Sequence, residues 1–104
     1  MWTQIIKTRI KPGKEAELAA LMDEFKSLEA PNSGLVRSTT ARDQKDPNTL
    51  YIMVTFESEE QARVREQDPA RNEALAHARQ VMGEIFEGPP EFIDLNVVSE
   101  YSGT

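Results

Sequence analysis

The chain contains no cysteine, which excludes disulfides, thiolate nucleophiles, zinc–thiolate sites and iron–sulfur ligation. Histidine is almost as scarce. One residue, His77, stands in 104, so carboxylates are the main metal donors left, and their runs read as solvated helix surfaces. No metal site is expected. Long apolar runs are also missing: the N-terminal stretch MWTQIIKTRIKPGKE has no segment suited to a signal peptide or a spanning helix. Positive charge is outnumbered, with 12 Lys and Arg against 18 Asp and Glu and a net charge of −6. That balance gives neither a basic footprint for nucleic acid nor a polybasic membrane patch. The five glycines form no phosphate-cradling loop. The expectation is one domain over residues 1–104, cytoplasmic, with neither nucleic acid nor membrane as partner.

What is present is a pattern of strand, amphipathic helix and strand that runs through the chain twice. Residues 2–11 alternate, with Trp2, Ile6 and Ile10 on one face and Ile5 on the other, until Lys11-Pro12-Gly13-Lys14 stops the strand. A helix follows, with Leu18, Leu21, Met22, Phe25 and Leu28 in one stripe. The Asn32-Ser33-Gly34 turn leads to a polar strand over residues 35–42, whose Arg37, Thr39 and Thr40 suit a sheet edge. Asp46-Pro47-Asn48 turns the chain into LYIMVTF, residues 50–56, where only Thr55 is polar. Neither side of that strand is expected to face water, so a second copy of the chain is the simplest cover for the side without helices.

Ser58 and Gln61 fit a capping box for a short helix reaching about residue 67. Asp68 and Pro69 cap a further helix expected to run unbroken to about Phe86, where Gly88-Pro89-Pro90 blocks it. Residues 92–101 read as the last strand, with Ile93, Leu95 and Val97 on its apolar face, and residues 102–104 as a frayed tail. The order β-α-β-β-α-β with right-handed crossovers gives an α+β, ferredoxin-like sheet with its helices on one face.

The chain resembles the antibiotic biosynthesis monooxygenase family of dimeric α+β barrel proteins. The resemblance rests on the order and spacing of Lys11-Pro12-Gly13-Lys14, Asn32-Ser33-Gly34, Asp46-Pro47, Phe56-Glu57-Ser58-Glu59-Glu60-Gln61-Ala62 and Asp68-Pro69-Ala70. It implies a homodimer with facing sheets and a pocket between sheet and helices in each subunit. Some members oxidise quinols or aromatic polyketides without metal or flavin, and a related branch degrades haem. The sequence departs from the family pattern at three places. Phe56 stands where a Trp often ends the third strand. Arg71 and Ala74 replace two histidines, and Ile6 replaces the Asn of the haem-degrading branch.

Arg71 is the candidate catalytic residue. Helical rotation aligns it with Leu75, Ala78 and Met82, where a cation could hold a phenolate, carboxylate or enolate. The competing reading packs its stem on the core and leaves its guanidinium in water. Trp2, Ile6, Phe25, Phe56, Leu75 and Met82 complete the candidate substrate-binding set. Phe25, Phe56, Met82 and Phe86 read equally as plain core. His77 rotates to the opposite side with Glu73, Gln80 and Glu84, and is expected to be solvated and able to pair with Glu73. Tyr51 and Met53 share the second face of their strand and suit a subunit interface. Three functions remain open. They are a monooxygenase that needs no cofactor and acts on a quinol or aromatic polyketide-like substrate, a dimeric module that binds a small apolar ligand or a protein, and an isomerase or cyclase using the same anion clamp on an enolate.

Overall fold

Strand β1 (Trp2–Arg9) organises the molecule, because its alternation places Trp2, Gln4, Ile6 and Thr8 toward the helices and Thr3, Ile5 and Lys7 away from them. The computed structural model describes residues 1–103. After β1 come α1 (Glu15–Leu28), β2 (Leu35–Arg42), β3 (Thr49–Phe56), α2 (Glu59–Glu66), α3 (Pro69–Ala74), α4 (Ala76–Ile85) and β4 (Glu91–Asn96). The sheet is antiparallel, in the order β2-β3-β1-β4. This is the α+β, ferredoxin-like arrangement that the sequence implies. The polar strand β2 lies at the edge as expected, and a register shift between Leu35 and Arg37 bends its start.

Two expectations are corrected. The third helical segment does not run unbroken to Phe86. Leu75, at φ −82° and ψ −2°, separates α3 from α4. The amides of Leu75 and Arg79 donate to the carbonyls of Arg71 and Leu75, closing the last turn of α3 and opening the first of α4, and Leu75 drops into the core. No Gly or Pro marks that bend, and periodicity alone could not place it. Strand β4 ends at Asn96 instead of residue 101. Asn96 pairs with Trp2, the first residue of β1, and beyond it only the Met1 carbonyl remains to accept from the Val97 amide. With no partner backbone left, Val98 and Tyr101 extend into solvent. Thr104, the end of the expected frayed tail, lies outside the described residues.

Apolar packing between sheet and helices forms two clusters. The larger joins Ile10, Leu18, Leu21, Leu50, Leu75, Ala78 and Ile85 at one end of the sheet, where Ile10 also bridges to Phe86. The smaller holds Trp2, Phe56 and Ala62 at the other. Between them, Ile6, Ile52 and Val54 of the central strands are only half-buried, because the helices stand off the middle of the sheet.

The smaller cluster is tied to the turn before β2. Ser58 caps α2, its Oγ accepting from the Gln61 amide at 3.2 Å and donating to Gln61 Oε1 at 3.1 Å. Gly34, at φ +87°, lies directly against Gln61: a Cβ there would sit 2.8 Å from both Gln61 Cβ and Cδ. Gly34→Ala therefore combines left-handed strain with a clash, and is expected to cost about 2 to 3 kcal/mol. Thermal denaturation should show a fall of roughly 10 °C or more.

Candidate functional site

The gap between the two clusters is a cavity of about 810 Å³. Its floor is the helix-facing side of β1 and β3, from Trp2 and Phe56 at one end to Thr8 at the other, and Phe25 of α1 and Met82 of α4 form much of its roof. That volume lies within the range of small-molecule sites, and the wall combines apolar side chains with polar ones, among them Gln4, Ser38 and Thr40 and the charged Asp23, Lys26, Glu29, Arg65, Glu66 and Arg71. Six of the seven candidate residues line it: Trp2, Ile6, Phe25, Phe56, Arg71 and Met82. Leu75 does not. The bend between α3 and α4 turns it into the larger cluster, where it is buried against the core.

Trp2 and Phe56 are both buried, with ring centroids 6.2 Å apart and planes tilted by 47°. Cross-strand pairing in the register Trp2 to Phe56 sets this contact. Two arginines of α2 cover the pair: the Arg63 guanidinium lies 5.0 Å from the Trp2 ring centroid and that of Arg65 lies 5.2 Å from Phe56. Arg63 is held by Glu59, Glu66 and Asp94. Arg65 is held by Glu29 through a two-pronged pair, with Nε 3.1 and 3.0 Å from the two carboxylate oxygens.

Arg71 differs from both. It is half-buried at the cavity wall and makes no hydrogen bond or ion pair among the described residues. Burial and the neighbouring Arg65 cation lower its proton affinity from the ordinary guanidinium value, and the field of Glu29 opposes them. Glu29 is already engaged by Arg65, so Arg71 is a cation beside the cavity with an unmet demand for an anion. His77 lies outside the cavity, as its rotation implies, with its side chain 72% exposed. Its partner differs from the expected Glu73: Nδ1 sits 3.0 Å from a carboxylate oxygen of Glu24 on α1. The packing of α1 against α4 brings that residue closer than the sequence neighbour.

Sequence reasoning missed Glu29, Arg65 and Thr8. Glu29 and Arg65 lie 36 residues apart, and nothing in either local pattern pairs them. Thr8 continues the Trp2, Gln4, Ile6 alternation, so its face was legible, but not the isolation of its hydroxyl.

The Glu29 carboxyl is held below its ordinary value. Desolvation pushes it upward, but hydrogen bonds from Arg65 and Ser33 and the charges of Arg65 and Arg71 outweigh that effect. Glu29→Gln leaves two neighbouring cations without their shared anion and is expected to cost about 2 kcal/mol at neutral pH. A carboxyl with a depressed folded pKa stabilises fully above its unfolded value of about 4.3, and that contribution is lost as the pH falls through the folded value. Melting curves of the parent and Glu29→Gln proteins should therefore lie apart at neutral pH and converge on acidification below about pH 4.

A family model described as "Antibiotic biosynthesis monooxygenase" matches residues 1–77. No curated protein matches the chain. Among solved structures, a protein from Chloroflexus aurantiacus assigned to antibiotic biosynthesis monooxygenases is 23% identical with a TM-score of 0.70, over 97% of this chain and 96% of that one. A variant of MhuD with two manganese protoporphyrin IX molecules bound per active site is 18% identical with a TM-score of 0.80, over 99% and 100%. A variant of SnoaB, a cofactor-independent oxygenase from Streptomyces nogalater, is 14% identical with a TM-score of 0.73, over 95% and 94%. At these identities the likeness extends to the fold, while the chemistry must be argued from the site.

Proposed function

Because the chain belongs to the antibiotic biosynthesis monooxygenase family, we propose that it is a cofactor-independent monooxygenase acting on a quinol or aromatic polyketide-like molecule. The observation that carries this reading is Arg71, a half-buried cation at the wall of the cavity with no ion-pair partner among the described residues. A phenol or enol bound there is favoured in its anionic form, since the guanidinium stabilises the charge in a medium that screens it poorly. Its proton passes to water at the cavity mouth. The electron-rich anion then reduces O₂ by one electron, and recombination of the two radicals forms a carbon–oxygen bond. At a methylene carbon, loss of one water from the hydroperoxide leaves a carbonyl, so one O₂ yields one inserted oxygen and one water. The protein's part is to hold the anion, shape the wall with Trp2 and Phe56, and keep bulk water out.

Haem does not fit these residues. Among the described residues the cavity wall offers no imidazole, thiolate or phenol: His77 pairs with Glu24 on the outside, and the sulfur donors are the thioethers of Met22 and Met82.

The assembly we infer is a homodimer through the sheet face opposite the helices. Register places Ile5 between Met53 and Ile93, with Leu95 on the adjoining row, and Ile93 and Leu95 remain exposed. A contiguous apolar patch at the centre of a sheet calls for a partner, and pairing like with like across a two-fold axis covers it on both copies.

Oxygen uptake tests the chemistry. Chelator-treated protein incubated with anthrone or a naphthohydroquinone should consume one O₂ per product, and Arg71→Gln should slow uptake at least tenfold. Binding of these compounds without uptake would instead support a non-catalytic small-ligand module. The placement of His77 outside the cavity favours that second reading, since it leaves the wall without an imidazole base.

A further inference from the structure

The chain continues past β4 in a direction of its own. The Val97 amide donates to the Met1 carbonyl at 3.1 Å, which starts this segment beside the beginning of β1. Further on, Glu100 pairs with Arg37 of β2. Strands β4 and β2 are opposite edges of the sheet, so the segment runs across the strands instead of along them. Ser38 and Thr40 line the cavity, which by alternation puts Arg37 on the face opposite the helices. Residues 97–103 are therefore an arm laid across one end of that face.

Side-chain size at that end leaves room for it. The register there runs Leu95, Thr3, Thr55, Arg37 across the four strands, with two short threonines at its centre joined by a hydroxyl hydrogen bond of 3.0 Å. The next row on the same face holds the larger Ile93, Ile5 and Met53. Sheets packed face to face stand about 10 Å apart, so threonine opposite threonine would leave a gap that isoleucine and methionine fill. The arm supplies the missing volume. Val98 is 97% exposed and Tyr101 91%, so both side chains touch almost nothing of their own chain. Charge suits a second copy as well. The chain carries −6, yet each strand cation on this face has an anionic neighbour: Lys7 beside Glu91 in register, Arg9 with Asp46 and Glu87, and Arg37 with Glu100. Local offset of this kind lets two like faces meet without the repulsion that the net charge would impose.

We propose that this arm is a docking element for a second copy of the chain, with Val98 and Tyr101 packing on the partner sheet at the threonine end. The proposal rests on the face-to-face dimer inferred above. Glu100, held by Arg37, keeps the arm on its own sheet, so each copy presents a ready-made ridge to the other. Ordering the arm before contact lowers the entropy that association must overcome.

Sedimentation equilibrium of the full chain tests this. Replacing both side chains, Val98→Ser with Tyr101→Ser, is expected to raise the dimer dissociation constant at least tenfold, because two large apolar groups per copy lose their burial. Folding should be intact, since neither side chain packs within its own chain. Val64→Ser is the control: Val64 is also exposed, at 65%, but lies on α2. It should leave the dissociation constant unchanged. If the parent chain is dimeric and the double variant dissociates no more readily, the arm is wrong and the sheet-face dimer stands. If Val64→Ser weakens the dimer as much as the double variant, the effect is not the arm's and the proposal falls. A parent chain that is monomeric at micromolar concentration overturns both the arm and the dimer it rests on.

Discussion

Arg71→Gln is expected to weaken the binding of an aromatic carboxylate or phenolate by roughly 10- to 100-fold, the usual value of a charge-assisted hydrogen bond in a partly desolvated site. Stability should not fall with it. Arg71 makes no ion pair among the described residues, and its removal relieves repulsion with Arg65. Thermal melting should stay within a few degrees of the parent protein or rise. That pairing of effects distinguishes a binding cation from a structural one. The Arg65 guanidinium, held by Glu29 and stacked over Phe56, should behave in the opposite way. Arg71→Lys is expected to recover only part of the affinity, because a compact ammonium cannot present the planar fork that a carboxylate accepts.

Ile5→Glu is expected to convert the inferred dimer into monomers. Ile5 lies between Met53 and Ile93 at the centre of the outer sheet face, so two-fold pairing would bury two like charges close to one another. Leaving carboxylates desolvated and unpaired costs several kcal/mol, which raises the dissociation constant by on the order of a thousandfold or more. Light scattering on the parent and variant chains reads this directly. A parent protein that is monomeric at micromolar concentration would remove the dimer from the account. A variant that stays dimeric would move the interface elsewhere. Position 5 faces away from the cavity, so binding by each monomer should survive unless the partner supports the wall.

Much of the fold was legible because its determinants are local. Pro12 and Gly13, Ser58 with Gln61, and Asp68 with Pro69 act on the backbone within a few residues, and each marks an element boundary found in the structure. Alternation along β1 likewise assigned Trp2 and Ile6 to the cavity side. The errors arise where the determinant is distant. The bend at Leu75 depends on the core that receives its side chain, and the end of β4 at Asn96 depends on where β1 begins. His77 pairs with Glu24 across two helices, a contact no helical wheel contains.

The site shows the same division. Periodicity grouped Arg71 with Met82 and placed both on one side of their helical segment. Whether that side met a filled core or an open cavity depended on how far the helices stand from the sheet. Side-chain volumes alone do not set that distance. The two separated apolar clusters, with half-buried Ile6, Ile52 and Val54 between them, show that Phe25, Met82 and Phe86 roof a space without filling it.

Trp2, the only tryptophan in the chain, lies in the cavity wall and reports on whatever enters it. The most direct measurement is therefore a titration of Trp2 emission with naphthoate and with naphthamide, its neutral counterpart of nearly the same shape. A cavity served by Arg71, which has no ion-pair partner among the described residues, predicts that both change the emission, and that naphthoate binds at least tenfold more tightly. Equal affinities for acid and amide, or an emission indifferent to both, would contradict the claim that this cavity selects an anion.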